Sequence, residues 1–475
     1  MVIPLKTVQT RKRSILFANP VNKQALSAVL KNLQQTLKIA TLSLLLWFVP
    51  QAQAELTIEI SDSYENALPI AIVPFAYESN SLMPTDPATQ QTQAPVDIAA
   101  IVKADLRRSG RFKPLNPASF PMLLSEPEQI EYSDWKALDI DNMLIGKVVA
   151  EGNGLYQIDM RFMDVLRKNQ VIGKRWRNIP ATSLRQVAHQ ISDLIYEELT
   201  GVRGAFNTQI AYVTVKKVAG KRQFTLEISD ADGHNPQPIL RSRQPIMSPS
   251  WSPDGSKLAY VSFESGRSNI IVQSLDGRYR KVIADYKGIN GAPAWSPDGS
   301  KIALTLSKDG SADIYILDLA TQRLQRVTRH WSIETEAAWA PNGRSLYFNS
   351  DRRGQPQVFQ VFLDTMEVSR ITFEGKYNAN PEISPDGRYL AVVNGNGGFH
   401  ISLQDLYSNE FTKLTDTYLD ESPSFAPNGE MILYAMNKNG KGELAVVAID
   451  GKTSQTLKVK DGEVREPAWG PFLTR

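Results

Sequence analysis

Residues 251–257 read WSPDGSK, and residues 295–301 repeat the same seven residues 44 positions later. In such a segment Pro presets the backbone at the second position of a type I turn, and Asp suits the third position. Gly then accepts the left-handed conformation that follows. WSPDGSK is therefore predicted to turn one β-strand back onto the next.

The motif recurs through the second half of the chain with a nearly constant period. Aligned on its proline, it reads PSWSPDG, PAWSPDG, AAWAPNG, PEISPDG, PSFAPNG and PAWGPF at Pro253, Pro297, Pro341, Pro385, Pro427 and Pro471. The spacings of 44, 44, 44, 42 and 44 residues are typical of a four-stranded propeller blade rather than of a helical repeat. Alternating apolar runs such as LAYVSF (258–263) follow the turns and supply the strands.

The final repeat, PAWGPFLTR, contains only a first strand. Its missing strands match IAYVTV (210–215) and FTLEISDADG (224–233), which precede the first full repeat. Because a blade built from both ends of the domain closes the ring without a long free edge, we predict a six-bladed β-propeller over residues 205–475.

Residues 55–204 have a different pattern, which predicts an α/β domain. The features are a buried strand, a helix, a hairpin around Gly152-Asn153-Gly154 and a second helix that ends in Gly. They occupy residues 68–75, 96–110, 142–166 and 184–201. The intervening segment 79–95 is polar and rich in Pro, Thr and Gln, which favours a mobile loop.

Residues 1–54 resemble a secretory leader. They carry seven Lys or Arg and no acidic residue, whereas the remaining chain has 46 basic and 50 acidic residues. The apolar run Ile39–Val49 is shorter than the about 20 residues that span a bilayer. Ala52-Gln53-Ala54 follows it, which predicts cleavage between Ala54 and Glu55 and export from the cytoplasm; an uncleaved anchor is the alternative.

Several classes of protein are disfavoured by the residues present. The chain has no Cys, no G-x-S-x-G motif and only four His, which lie in separate segments. DADGH (230–234) lacks the spacing of a calcium loop, and the basic residues after the leader are mixed with acids, unlike a nucleic-acid-binding surface. No catalytic residue, metal or cofactor is predicted, and a binding scaffold remains. A periplasmic hydrolase or lactonase that uses the propeller channel is the alternative.

Segments along the whole mature chain resemble the TolB family of the Tol-Pal cell-envelope system. They include LPIAIVPF, ADLRRSGRFKPL, LTGVRGAFNTQIAYV and QPIMSPSWSPDGSKLAYVSFESGRS, of which LTGVRGAF and FESGRS are more specific than the propeller turn. The resemblance implies a non-enzymatic, monomeric periplasmic adaptor that supports outer-membrane integrity and envelope constriction during cell division. It also implies the lipoprotein Pal and the inner-membrane protein TolA as partners, with other outer-membrane proteins as further candidates and no nucleic acid.

The resemblance places Pal at one mouth of the propeller channel. Propeller geometry puts the residues that lead into each innermost strand at that mouth. The predicted Pal-binding residues are Met247, Ser248, Asn290, Ala292, Thr335, Glu336, Asn378, Asn380, Glu421 and Glu466. A solvated, ion-filled mouth without a partner is the alternative interpretation.

The predicted mature N-terminus has the alternation of a strand, since apolar and polar residues exchange along it. The resemblance assigns this segment to TolA binding by strand addition. Its residues are Glu55, Leu56, Thr57, Ile58, Glu59, Ile60, Ser61 and Asp62. The alternative is an ordinary edge strand of the α/β domain.

Overall fold

The computed structural model describes residues 56–61, 67–79, 94–459 and 462–473. The predicted leader, its cleavage site, Asp62 and most of the loop 79–95 lie outside the described residues. No helix in the described ranges is long and apolar enough to cross a membrane. The described residues belong to a single unit of mutual contacts.

The amino-terminal part is a mixed sheet packed between two layers. Strands β2 and β4 run parallel to each other, β2 and β3 pair parallel with β5, and β5, β6 and β7 form an antiparallel meander. The strands are β2 (Leu68–Ile72), β3 (Ala76–Ser79), β4 (Phe112–Pro114), β5 (Asn142–Gly152), β6 (Leu155–Asp164) and β7 (Asn169–Pro180), and the helices are α1 (Ile98–Arg108), α2 (Tyr132–Lys136) and α3 (Leu184–Thr200). Helices α1 and α3 share one apolar core with the sheet, and Trp135 of α2 lies in a second core.

Local chemistry explains where these elements begin and end. The Asp97 side chain accepts a hydrogen bond from the Ala100 backbone N–H at 2.9 Å and caps α1, while Gly201 ends α3 with a φ of 74°. The predicted strand 68–75 is shorter in the structure and ends at Ile72. Pro74 has no backbone N–H to donate to the sheet, so pairing resumes only in β3.

Residues 209–469 form the blades of a six-bladed propeller, as predicted. Each blade is an antiparallel sheet of four propeller strands, counted here from the channel outward. Blade 1 contains Ile246–Trp251, Lys257–Ser262, Asn269–Ser274 and Arg280–Ala284; blade 2, Asn290–Trp295, Lys301–Leu306, Asp313–Asp318 and Leu324–Arg326; blade 3, Glu334–Trp339, Ser345–Ser350, Gln357–Phe362 and Val368–Arg370; blade 4, Asn378–Ile383, Tyr389–Gly395, Phe399–Asp405 and Phe411–Lys413; blade 5, Asp420–Phe425, Met431–Lys438, Lys441–Ala448 and Ser454–Val459; blade 6, Glu463–Trp469, Gln209–Val218, Lys221–Asp230 and Gln237–Ser242.

The WSPDG segment forms the turn that its residues predict. The Gly255 N–H donates to the Ser252 carbonyl at 2.9 Å, and Gly255 has a φ of 70°. The Ser252 hydroxyl and the Ser256 N–H both donate to the Asp254 carboxylate, at 2.6 and 3.0 Å. The positive φ favours Gly at this position. A methyl group on Gly255 would lie 3.3 Å from Cγ of Pro471, so the neighbouring blade would also have to shift by a few tenths of an ångström to admit a side chain.

Blade 6 joins the two ends of the propeller. Its innermost strand, Glu463–Trp469, pairs antiparallel with Gln209–Val218. The Trp469 indole N–H donates to the Thr208 hydroxyl at 2.9 Å, and the Trp469 backbone N–H donates to the Ser424 hydroxyl of blade 5 at 3.0 Å. The Trp251 indole of blade 1 donates to the Ala468 carbonyl at 3.1 Å. The closing strand is therefore tied to both neighbouring blades.

The first described strand, β1 (Leu56–Ser61), pairs with the propeller. It runs antiparallel to the outermost strand of blade 5, with Leu56 opposite Val459 and Ser61 opposite Ser454. The alternative interpretation, an edge strand of the α/β domain, is wrong because the partner strand belongs to blade 5. Backbone pairing fixes this strand as the fifth of that sheet.

Ring closure is expected to depend on Trp469. The side chain is 8% exposed, so Trp469→Ala should lower the free energy of unfolding by about 3–5 kcal/mol through lost burial and a residual cavity. Trp331→Ala is the matched control, because Trp331 is 82% exposed and its removal should change stability by less than about 0.5 kcal/mol. Guanidinium denaturation followed by circular dichroism measures both; equal effects would contradict the closing role.

Candidate binding site in the propeller channel

The innermost strands of all six blades enclose a cavity of about 680 Å³ along the propeller axis. The α/β part contacts the opposite face, where the WSPDG-type turns lie. There, Arg111 pairs with Glu430 at 2.8 Å, and the Asn428 amide donates to the Arg203 carbonyl at 3.1 Å. The mouth at which the innermost strands begin is consequently on the other face of the propeller.

Each innermost strand carries a β-bulge at the same position. The pairing with the second strand shifts register there, and one residue per strand adopts a left-handed backbone. These residues and their φ values are Ser248 (50°), Ala292 (45°), Glu336 (55°), Asn380 (55°), Ser422 (55°) and Glu466 (53°). This conformation costs a non-Gly residue about 1–2 kcal/mol. Bulges redirect side chains and interrupt strand pairing, which here leaves these residues on the wall of the channel.

Side chains of the bulges also bridge neighbouring blades. The Glu466 carboxylate accepts the Ser248 backbone N–H at 3.1 Å, and the Asn380 amide oxygen accepts the Ser422 N–H at 3.0 Å. The Glu336 carboxylate accepts the Asn380 N–H and an N–H of the Asn349 side chain. Polar contacts between blades thus surround the channel at the level of the bulges.

The channel wall is acidic, yet several of its acids favour the neutral form. Glu336, Glu382, Glu421 and Glu466 line it, and no Lys, Arg or His is among the described lining residues. Burial raises the pKa of Glu382 to about 8. Burial also raises the pKa of Glu466 to about 7, an effect that the Ser248 N–H opposes and the nearby Glu421 and Glu336 reinforce. The pKa of Glu336 is likewise raised by burial. Near neutral pH the Glu382 and Glu466 carboxyls can therefore donate hydrogen bonds.

Seven of the ten predicted mouth residues line this channel, and three do not. Met247, Ser248, Ala292, Glu336, Asn380, Glu421 and Glu466 are on its wall, and Thr335 is partly buried next to Glu336. Asn290 and Asn378 are fully buried. The Asn290 amide donates to the Tyr286 carbonyl and that of Asn378 to the Glu374 carbonyl, both at 2.7 Å. The structure places these two amides away from the channel wall, where both stabilise the connections between blades; their part in binding Pal stays a prediction.

Sequence reasoning missed a set of apolar side chains around the same mouth. They lie in the connections that lead into the innermost strands and are exposed although large. Their exposed fractions are 53% for Ile289, 82% for Trp331, 59% for Ile333, 67% for Phe373 and 68% for Tyr418. The available signal was a bulky apolar residue one to five positions before an innermost strand, where the turn itself requires none.

One group of potential metal ligands was found among the described residues, and it lies outside the channel. Asp105, His189 and Asp232 place their ligand atoms within 4.8 Å of one another between the α/β part and the propeller. Arg108 Nη2 is 3.2 Å from Asp105, and Arg185 Nη2 is 2.5 Å from Asp232. Because two guanidinium groups already occupy these carboxylates, we assign no metal to the group.

Two family models match the chain. The TolB amino-terminal domain matches residues 56–171, and the TolB beta propeller domain matches residues 196–473, more than half of the chain. The chain belongs to the TolB family. The two matched ranges correspond to the two parts of the fold described above, the mixed sheet and the propeller. The family assignment therefore agrees with the observed architecture.

Individual TolB relatives cover nearly the same region. "Tol-Pal system protein TolB" of Hydrogenovibrio crunogenus is 64% identical over 422 residues, covering 89% of this chain and 95% of that protein. The protein of the same name from Xanthomonas campestris pv. campestris (strain B100) is 48% identical over 425 residues, 89% and 94% of the two chains. The crystal structure of TolB from Acinetobacter baumannii matches with a TM-score of 0.79 and 37% identity, covering 88% of this chain and all of that one.

The partly buried Glu382 on the channel wall should make stability depend on pH. Because burial raises its pKa from 4.5 to about 8, its contribution is fully present below pH 4.5 and is lost as pH rises through about 8. Glu382→Gln, which cannot ionise, should reduce the fall in melting temperature between pH 5 and 9. Glu410→Gln, at an exposed position outside the channel, is the control and should keep the wild-type profile. A wild-type profile in Glu382→Gln would contradict the expectation.

Proposed function

We propose that the chain is a non-enzymatic periplasmic adaptor of the Tol-Pal system that binds Pal at the channel mouth and TolA through its mature N-terminal strand. Through these contacts it supports outer-membrane integrity and envelope constriction during division. The proposal includes cleavage between Ala54 and Glu55 and a domain boundary at residues 204/205, within the linker between α3 and the strand that begins at Gln209. Family membership and the printed names of the relatives support the system.

The apolar mouth is the observation that carries the Pal assignment. Large exposed apolar side chains that cluster around a concavity are typical of protein-protein contacts, and aromatic residues contribute most of the binding energy there. The acidic wall below them offers carboxyls to donors of a partner that enters the channel.

The position of β1 supports the TolA assignment. This strand is held by backbone pairing at the outer edge of blade 5, and such pairing is exchangeable for pairing with another edge strand. We infer that TolA takes β1 after the strand leaves the propeller. The apparent affinity for TolA is then reduced by the fraction of molecules in which β1 is docked.

Binding of Pal should depend on aromatic residues at the mouth and not on those of the opposite face. Tyr418→Ala should weaken the binding of a soluble Pal domain by about 2 kcal/mol or more, because the ring contributes a large apolar contact. Tyr407→Ala is the matched control. Tyr407 is 78% exposed and lies between the third and fourth strands of blade 4, at the WSPDG-type face. Titration calorimetry measures both; unchanged binding by Tyr418→Ala would place the Pal site elsewhere.

Docking of β1 should compete with TolA. Glu59 and Thr456 are opposite each other in the pairing of β1 with blade 5, and the chain has no Cys. In Glu59→Cys/Thr456→Cys, a disulfide between the two positions should hold β1 in place and reduce TolA binding at least tenfold, and a reductant should restore it. Glu59→Cys alone is the control and should bind as the reduced double variant does. Full TolA binding by the oxidised double variant would reject release of the strand.

A further inference from the structure

A buried ionic cluster joins the α/β part to the propeller. Helices α1 and α3 and the turn at residues 230–234 of blade 6 contribute to it. The turn is rigid, because the His234 N–H donates to the Asp232 carboxylate at 3.0 Å and the Asp230 N–H donates to the His234 carbonyl, also at 3.0 Å. The titratable and charged groups that face one another here are Asp105 and Arg108 of α1, Arg185, His189 and Asp193 of α3, and Asp230, Asp232 and His234 of the turn.

The His189 imidazole lies between carboxylates of the two parts and is only 2% exposed. Its Nδ1 is 2.7 Å from Oδ2 of Asp105, an oxygen that also accepts the Ser192 hydroxyl at 2.7 Å. Its Nε2 is 3.8 Å from Oδ2 of Asp232 on the propeller and has no hydrogen-bond partner. Nδ1 of the ring therefore faces the α/β part, and Nε2 faces the propeller.

The charges of the cluster favour a protonated ring. Arg108 pairs with Asp105, while Arg185 pairs with Asp232 and lies 3.6 Å from Asp230. The four carboxyl groups, which include Asp193, outnumber the two guanidinium groups. An imidazolium with N–H groups on both sides satisfies Asp105 and attracts Asp232, whereas a neutral ring directs a lone pair toward one of them.

We propose that His189 is a pH-responsive clasp, whose protonated ring ties Asp105 of the α/β part to Asp232 of the propeller and whose deprotonation loosens the contact between the two. The clasp stands on the geometry of this interface and does not depend on the partners proposed above.

The direction of the response follows from the cluster. Burial lowers the pKa of His189, but the Asp105 and Asp232 carboxylates outweigh it, and the net pKa is raised above the ordinary 6.5. The contribution of the clasp is thus fully present below pH 6.5 and is lost as pH rises through the raised pKa. Among the carboxyls, burial raises the pKa of Asp193 to about 6 and also raises that of Asp230. Burial opposes ionisation of Asp232, but the charges of His189, Arg108 and Arg185 outweigh burial, and the net pKa of Asp232 is lowered.

The linker between the two parts reports opening of this interface. The Asp193 carboxylate accepts the backbone N–H groups of Phe206 and Asn207 at 2.8 and 3.3 Å. The Arg203 guanidinium lies 3.9 Å from the Phe472 ring centroid and donates to the Leu473 carbonyl at 3.3 Å. Trypsin can cut after Arg203 only when these contacts are released, whereas Lys168 beside the 83%-exposed Arg167 side chain offers a permanently accessible reference site.

Two measurements on the mature protein test the clasp. Because the chain has only four His, ring resonances can be assigned by substitution, and His189 should titrate above pH 6.5. The ratio of tryptic cleavage after Arg203 to cleavage after Lys168 should rise by about tenfold per pH unit above pH 6.5, until the raised pKa is passed. Using the ratio removes the pH dependence of the protease itself.

Substitutions separate the charge of His189 from its packing. His189→Asn keeps an N–H near the position of Nδ1 but cannot become a cation, and it should make the cleavage ratio independent of pH. His234→Asn, in the same cluster, is the control and should keep the wild-type rise. If His189→Asn does not fold, Asp232→Asn removes the propeller side of the clasp and should lower the pKa of His189 and flatten the rise. Three results would overturn the proposal. The first is titration of His189 at or below pH 6.5, and the second is a cleavage ratio of the wild-type protein that does not change with pH. The third is a rise of the cleavage ratio with pH, as in the wild type, in His189→Asn or Asp232→Asn.

Discussion

The pairing of Glu463–Trp469 with Gln209–Val218 is the constraint on which the remaining structure depends. A ring of blades has a defined channel only when its last sheet closes against its first, and this strand supplies the missing inner wall of blade 6. It also fixes where the chain enters the propeller, because Gln209 follows directly on the linker from α3. The position of the α/β part against the turn face is therefore set by the same pairing.

All six blades of the closed ring carry the same bulge in the innermost strand. This repetition determines which side chains line the channel. A left-handed residue at each bulge costs about 1–2 kcal/mol, which stacking of the blades must offset. In return, carboxyl and amide groups such as those of Glu466 and Asn380 bridge adjacent blades. The wall is thus acidic in composition but partly neutral in charge, since burial opposes ionisation of Glu382 and Glu466.

The two faces of the propeller carry different kinds of contact. The mouth presents exposed apolar rings, among them Trp331 and Tyr418, which suits a surface that binds and releases a partner. The opposite face is joined to the α/β part by polar and ionic contacts, including Arg111 with Glu430 and Arg185 with Asp232. Because ionic contacts depend on protonation, pH can act on the domain interface as well as on the Glu382 and Glu466 carboxyls of the channel wall.

Periodicity and turn chemistry depend on residues close together in the chain, so they were enough to predict the repeat, the number of blades, the turns and the helices α1 and α3. The same patterns put Glu336 and Glu421 at the channel. Burial of Asn290 and Asn378, pairing of β1 with blade 5 and the contact of His189 with Asp105 became visible only in the folded chain. Such contacts join distant residues: His189 and Asp105 are 84 positions apart, and Ser248 and Glu466 are 218 apart. Local sequence patterns do not encode such contacts: packing of α1 against α3 brings Asp105 to His189, and closure of the ring brings Glu466 to Ser248.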